Sequence, residues 1–253
     1  MSLWEFERHA RGASLIHRVD ARVKLTALLF FILMVTSLSG AGWTMALYAA
    51  LPLLATGAAR VPLRIVILRA LAVIPFAAMA GLFLPFIPPA YGDTLIPLGP
   101  FTVSGAGLAR FAEVTSKALV CALCVATFSV MTPFSATLDA LRRFGAPPAF
   151  VLTLSLAYRY LFTLREEAAR MIRARDARGY AGRGLAAAMV AGGMVGALFL
   201  RTHERGERIY QAMAARGFTG AASSMPSAPL QAADWVFLTL SAAGIALIRI
   251  AAL

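Results

Sequence analysis

Five predominantly apolar runs decide what this chain can fold into: Leu25 to Leu38, Trp43 to Ala59, Ile65 to Ile87, Ala112 to Met131 and Trp235 to Leu253. A water-soluble domain of 253 residues has too little interior to hide them all, and the composition, 60% hydrophobic against 14% charged with mean hydropathy +0.75, says the same. The expected fold class is an all-α integral membrane protein with about five transmembrane helices and a cytoplasmic module of long helices. The first two runs fall short of the ~20 residues that cross a bilayer comfortably, so they read as a tight hairpin of short spans joined through Ser39 to Gly42. The first 24 residues are polar and carry Glu5, Glu7, Arg8, Arg11, Arg18, Asp20, Arg22 and Lys24, which predicts no cleavable leader and a cytoplasmic N-terminus.

The formal charge of +12 is not spread along the chain as it would be on a nucleic-acid-binding fold. Between Pro133 and Gly220 stand thirteen Arg against six Asp or Glu, a balance of +7 and more than half the excess. Basic segments between apolar runs are retained on the cytoplasmic side. By the same rule, the stretch from Pro88 to Pro100, with Asp93 and no Lys or Arg, faces outward, and Arg60, Arg64 and Arg69 mark an inner loop. Three divisions follow. Residues 1–132 hold the N-terminal segment and four spans, 133–220 form a cytoplasmic helical module, and 221–253 supply a Pro-containing linker and the last span. Within the module, helices are expected from Ser135 to Phe144, Ala149 to Arg178 and Leu185 to Arg216. Ser135 or Thr137 would cap the first, and Gly145 with Pro147 and Pro148 would stop it.

The two long helices end alike. Ala174 to Gly182 and Ala212 to Gly220 both fit A-x-x-A-R-G-aromatic-x-G, so Ala177-Arg178-Gly179 is answered by Ala215-Arg216-Gly217. Each arginine precedes a glycine suited to closing a helix in the left-handed conformation, which predicts two matched guanidinium tips. An arginine at a helix C-terminus is favoured by the dipole alone, by ~0.3–1 kcal/mol. The repetition, and the narrow alanine beside each planar fork, argue further for two matched sockets on a partner. Candidate ligands are sparse elsewhere. Cys121 and Cys124 lie inside an apolar run, and His9, His17 and His203 are scattered, so no metal site, cofactor site or nucleophile is expected.

Three further segments give the chain a family. His17-Arg18-Val19-Asp20-Ala21-Arg22-Val23-Lys24 precedes the first run, Tyr158-Arg159-Tyr160-Leu161 leads to Glu166-Glu167-Ala168, and Phe199-Leu200-Arg201 leads through Glu204 to Arg208 into Gln211-Ala212-Met213. With the doubled Ala-Arg-Gly they resemble the transmembrane coupling (T) component of energy-coupling factor transporters, in its cobalt/nickel-type CbiQ family. Ala21 stands where that family commonly has proline. The resemblance implies a multi-pass, non-catalytic subunit of the bacterial plasma (inner) membrane that joins two ATP-binding-cassette ATPase subunits to a substrate-binding membrane subunit, with cobalt or nickel as cargo.

On that reading Arg178 and Arg216 dock in acidic grooves, one on each ATPase. The apolar halves of the long helices carry the substrate subunit, through Val151, Leu154, Tyr158 and Leu161 on one and Met189, Val190, Met194, Val195 and Leu198 on the other. Two alternatives stand beside it: a T component serving a vitamin importer, and a membrane enzyme that uses the arginines as phosphate clamps.

Overall fold

The computed structural model describes residues 16, 19–38, 42–59, 61–86, 95–98, 101–180, 182–218, 220 and 230–251. His9, His17, residues 39–41, Arg60, most of the Pro88 to Pro100 stretch and the linker at 225–229 lie outside them. The chain forms two compact units, one of Met1–Ala140 with Ala228–Leu253, the other of Leu141–Ser227.

The first unit is built on one long helix. α1 (Ala21–Thr36) and α2 (Trp43–Ala58) form the expected pair of short helices, followed by α3 (Leu63–Leu71) and α4 (Ile74–Gly81). One continuous span was expected over the latter two. Pro75 near the start of α4 lacks the N–H that would continue the ladder, and the backbone turns at Ala72 and Val73. After a short 3-10 turn at Leu84–Phe86, strands β1 (Leu95–Leu98) and β2 (Phe101–Ser104) pair antiparallel in register Leu95 to Ser104. This hairpin stands where the sequence reading placed only a loop. The Ser104 hydroxyl then accepts the Gly107 N–H at 3.1 Å and starts α5 (Gly105–Met131), seven residues before the apolar run at Ala112. α5 packs against α1, α2, α3 and α4, and α9 (Ala232–Ala251) closes on α1 and α2.

Two apolar clusters fill this unit. Phe31, Val35, Tyr48, Val120 and Ile245 form one, and Val66, Ala70, Ala126, Val130 and Met131 the other. A buried hydroxyl pair, Thr56 with Thr127 at 3.1 Å, joins α2 to α5; each hydroxyl also lies in reach of the carbonyl four residues back on its own helix, so one proton bonds across the pair and the other a carbonyl. Many large apolar side chains face outward instead, among them Leu33, Leu54, Phe76, Phe83, Leu240 and Leu247. In water such a surface is unfavourable, and in hydrocarbon it is the natural one. Four stretches are long and apolar enough to cross a bilayer: 63–81, 105–131, 185–215 and 232–250, with α2 apolar but shorter.

The second unit is a helical hairpin. α6 (Phe134–Arg143) runs across the boundary between the units and stops before Gly145 as expected, and that glycine takes φ of 94°, in the left-handed region. Thr137 does not cap it; its hydroxyl donates to the Pro133 carbonyl at 3.3 Å from within the first turn. α7 (Pro148–Ala177) and α8 (Leu185–Ala215) follow within a residue of their expected limits and pack against each other.

Candidate functional site

The paired helix ends fold as their repeat implies. Gly179 and Gly217 take φ of 70° and 81°, a conformation that costs a side-chain-bearing residue energy and glycine little. The Gly179 N–H donates to the Asp176 carbonyl at 3.0 Å and the Gly217 N–H to the Ala214 carbonyl at 2.9 Å, so carbonyls in the last turn of both helices are satisfied by the backbone. The arginine side chains are therefore not needed as caps. Arg178 and Arg216 are both exposed, and neither forms an ion pair within the described residues. Asp176, the nearest carboxylate in sequence to Arg178, is instead held by Arg175 through Nε at 2.9 Å and Nη2 at 2.7 Å.

The two copies differ just beyond the arginine. Tyr180 lies against Gly182, where any Cβ would collide with the ring, whereas Gly220 has open space around it and φ of 91°. The last glycine of the repeat thus makes room for an aromatic ring in one copy and turns the backbone in the other.

Glu167 ties the hairpin together. Its carboxylate accepts from Arg170 of α7 at 2.6 Å and from Arg201 of α8 at 2.7 Å. These two hydrogen bonds, Arg170 first, hold its carboxyl below the ordinary carboxylate range. The remaining charges of α8 form looser pairs along one helix, His203 with Glu207 at 3.5 Å and Arg208 with Glu204 at 3.9 Å. The pairing of Glu167 with Arg201, together with a cavity of about 610 Å³ lined by Met171, Arg178 and Tyr180 on one side and Val190 and Met194 on the other, sets α7 and α8 antiparallel.

Antiparallel packing separates the two tips. Arg178 lies at the turn of the hairpin, and Arg216 lies at the far end of α8, whose 31 residues extend about 46 Å at ~1.5 Å per residue. The structure therefore does not bring the two arginines together. Arginines at opposite ends of one helix do not converge on a single phosphate.

The expected apolar contact residues divide by exposure. Val151 is buried, so it offers no free surface. Leu154 and Tyr158 are half-buried, Tyr158 meeting Phe162 edge to face at 5.4 Å, while Leu161 is exposed. On α8, Met194, Val190 and Leu198 are half-buried, and Met189 and Val195 are about two-thirds exposed, at 67% and 66%. Leu185, Phe199 and Leu200 extend this bare face, which the sequence reading did not include. Their continuation of the same uncharged stretch is the signal that could have found them. Arg159, flanked by two tyrosines in the apolar half of α7, is exposed and needs no buried acceptor. Among the described residues, no three His, Cys, Asp or Glu side chains gather as a metal site would require.

Membrane-length helices and an outward-facing apolar surface define a class: a multi-pass membrane protein. The sequence profile described as "Cobalt transport protein" matches residues 12–228. The chain is 32% identical over 223 residues to the cobalt transport protein CbiQ of Rhodobacter capsulatus, covering 87% of this chain and 86% of that one. It is 27% identical over 224 residues to the energy-coupling factor transporter transmembrane protein EcfT of Listeria innocua, covering 84% of each. An uncharacterised protein of Methanocaldococcus jannaschii is 26% identical over 241 residues, covering 93% of this chain and 82% of its own. The chain belongs to the CbiQ family, transmembrane components of energy-coupling factor transporters.

Proposed function

We propose that this chain couples ATP hydrolysis by two partner ATPase subunits to a substrate-binding membrane subunit, in an importer whose cargo is cobalt or nickel. The observation that carries the reading is the pair of exposed arginine tips set at opposite ends of α8, whose 31 residues extend about 46 Å. Two separated cations of identical local geometry suit two identical sockets on two copies of one partner, and a carboxylate-lined groove is the complement of a guanidinium fork. When ATP binding draws two such subunits together, the anchored ends of α7 and α8 must follow, and the hairpin transmits that approach as a tilt. The exposed apolar face of α8 around Met189 and Val195 is where the substrate subunit would ride. Hydrolysis and metal capture then belong to the partners, and the N-terminus lies on the ATPase side of the bacterial inner membrane. The cobalt assignment follows the printed description of the family and of the Rhodobacter relative.

The test is charge reversal at the tips. Arg178→Glu and Arg216→Glu each weaken co-purification of the ATPase subunits and lower ATP-dependent uptake of radiolabelled cobalt or nickel. The double variant abolishes both. A double variant that still assembles and transports would sink the docking role.

A further inference from the structure

Where its apolar half gives way to its charged half, α8 carries a feature that neither the arginine tips nor the bare apolar face uses. A notch of about 730 Å³ lies on its surface between Phe199 and Tyr210, lined also by His203, Gly206 and Glu207. Phe199 and Tyr210 are both exposed, and the His203 imidazole stacks on the Phe199 ring with centroids 6.4 Å apart and planes 7° from parallel. A Cβ at Gly206 would meet nothing within 4 Å, so the chain itself leaves the middle of the notch uncovered. The notch also continues the bare face. Leu185 stands about five helical turns before His203, and Val195 about three turns before Gly206, so a segment lying over the first of each pair runs on over the second.

Charge in the notch has one sign. Among the residues that line it, Glu207 alone carries a formal charge when histidine is neutral. Its carboxylate stands 3.5 Å from His203 Nε2, an ion pair only while that imidazole is protonated, and it meets no arginine or lysine among the described residues. The arginines of this half look elsewhere. Arg201 pairs with Glu167 and Arg208 with Glu204, and none of Arg201, Arg205 and Arg208 lines the notch. The Thr202 hydroxyl at the rim is committed to the Leu198 carbonyl at 2.6 Å. His203 and Glu207 supply two donors, and no third His, Cys, Asp or Glu among the described residues joins them to hold a metal ion. What is left is a hollow walled by aromatic rings that carries one carboxylate without a basic partner.

Resting on the coupling role, we propose that this notch receives an arginine or lysine side chain of the substrate-binding subunit, borne on the segment that lies along the bare face of α8. A cation above the faces of Phe199 and Tyr210 is drawn to their ring quadrupoles. The Glu207 carboxylate accepts its N–H groups, and a guanidinium can do so with two at once. Left in water such a pair contributes little, but the subunit that brings the cation also covers it, and the attraction grows as water leaves. The contact gives the coupling a register. An apolar face holds a partner without fixing where along the helix it stands, whereas one cation in one notch has a single place.

The experiment uses the complete complex of this chain, its ATPase subunits and the substrate subunit in nanodiscs. Photoreactive benzoylphenylalanine replaces Gln211, at the rim of the notch, in one preparation and Met189, on the bare face, in another. After illumination both positions cross-link to one segment of the substrate subunit, and a lysine or arginine lies within a helical turn of the Gln211 attachment. In a second measurement, Glu207→Gln weakens binding of the substrate subunit about tenfold, and the binding that remains depends less on salt than in the wild type. Unchanged affinity and salt dependence in Glu207→Gln overturn the proposal. So does a Gln211 cross-link to an ATPase subunit, or to a segment without a basic residue nearby. A cross-link from Met189 with none from Gln211 removes this contact and leaves the coupling role standing, whereas a complex that never contains the substrate subunit removes both.

Discussion

Asp234 shows how much one side chain can decide. It is buried at the start of α9 and accepts from two backbone N–H groups, one of them 214 residues away at Asp20, so a single carboxylate pins the last helix to the first. Asp234→Ala strands both donors, and the cost of leaving such groups unsatisfied is about 1–3 kcal/mol. Thermal unfolding of the purified chain in detergent should register that loss, and an unchanged midpoint would show that the pin is dispensable. At this scale the sequence is legible where interactions are local. Gly145, Gly179 and Gly217 announce their left-handed caps because each is determined by its own helix. Asp20 also looks like a cap and is one, but nothing near it names Asp234, since a contact across the whole chain leaves no periodic trace.

Among the elements, the long helices of the hairpin are legible within a residue because their ends carry glycine or proline and neither interior carries a proline. α5 was read too short, for a physical reason. An apolar run marks only the hydrocarbon-compatible part of a helix, whereas the helix begins where it is capped, at Ser104, even though Arg110 and Glu113 occupy its first turns. The β1–β2 hairpin was missed because Pro97 and Pro100 argue against a strand, while a short ladder tolerates proline at positions that need not donate.

The Glu167 bridge gives this scale its prediction. Because Arg170 and Arg201 lower its pKa, the bridge contributes fully above the unfolded carboxylate value and disappears only as pH falls through the lower folded value. Acidification to just below the ordinary carboxylate range should therefore leave α7 and α8 paired, while Glu167→Gln should loosen them at neutral pH. The distance between spin labels placed on the two helices measures both. A gap that opens at the ordinary carboxylate pKa in the wild type would refute the assignment.

The whole molecule divides labour between a unit that satisfies the bilayer and a hairpin that carries exposed charge at both ends. Composition and charge placement made the first legible, and the doubled motif made the second. What no sequence pattern could convey is the antiparallel packing that sends Arg178 and Arg216 to opposite ends, since identical tips are equally compatible with a pincer. The separation itself can be tested by lengthening. Insertion of about two helical turns after Gly206 keeps the face of α8 in phase and moves Arg216 outward by about 11 Å. Both arginines stay intact, yet one ATPase subunit should be lost from the purified complex and uptake should fail. Full transport by the lengthened chain would mean that the spacing is not read.

α8 keeps one helical rise along 31 residues that include no interior proline. It is a yardstick. Motors taken from another organism would be accepted or refused by how far apart their berths lie, before a single side chain is compared. Matched lengths on both sides would be expected to drift together in evolution even while the residues between them change freely.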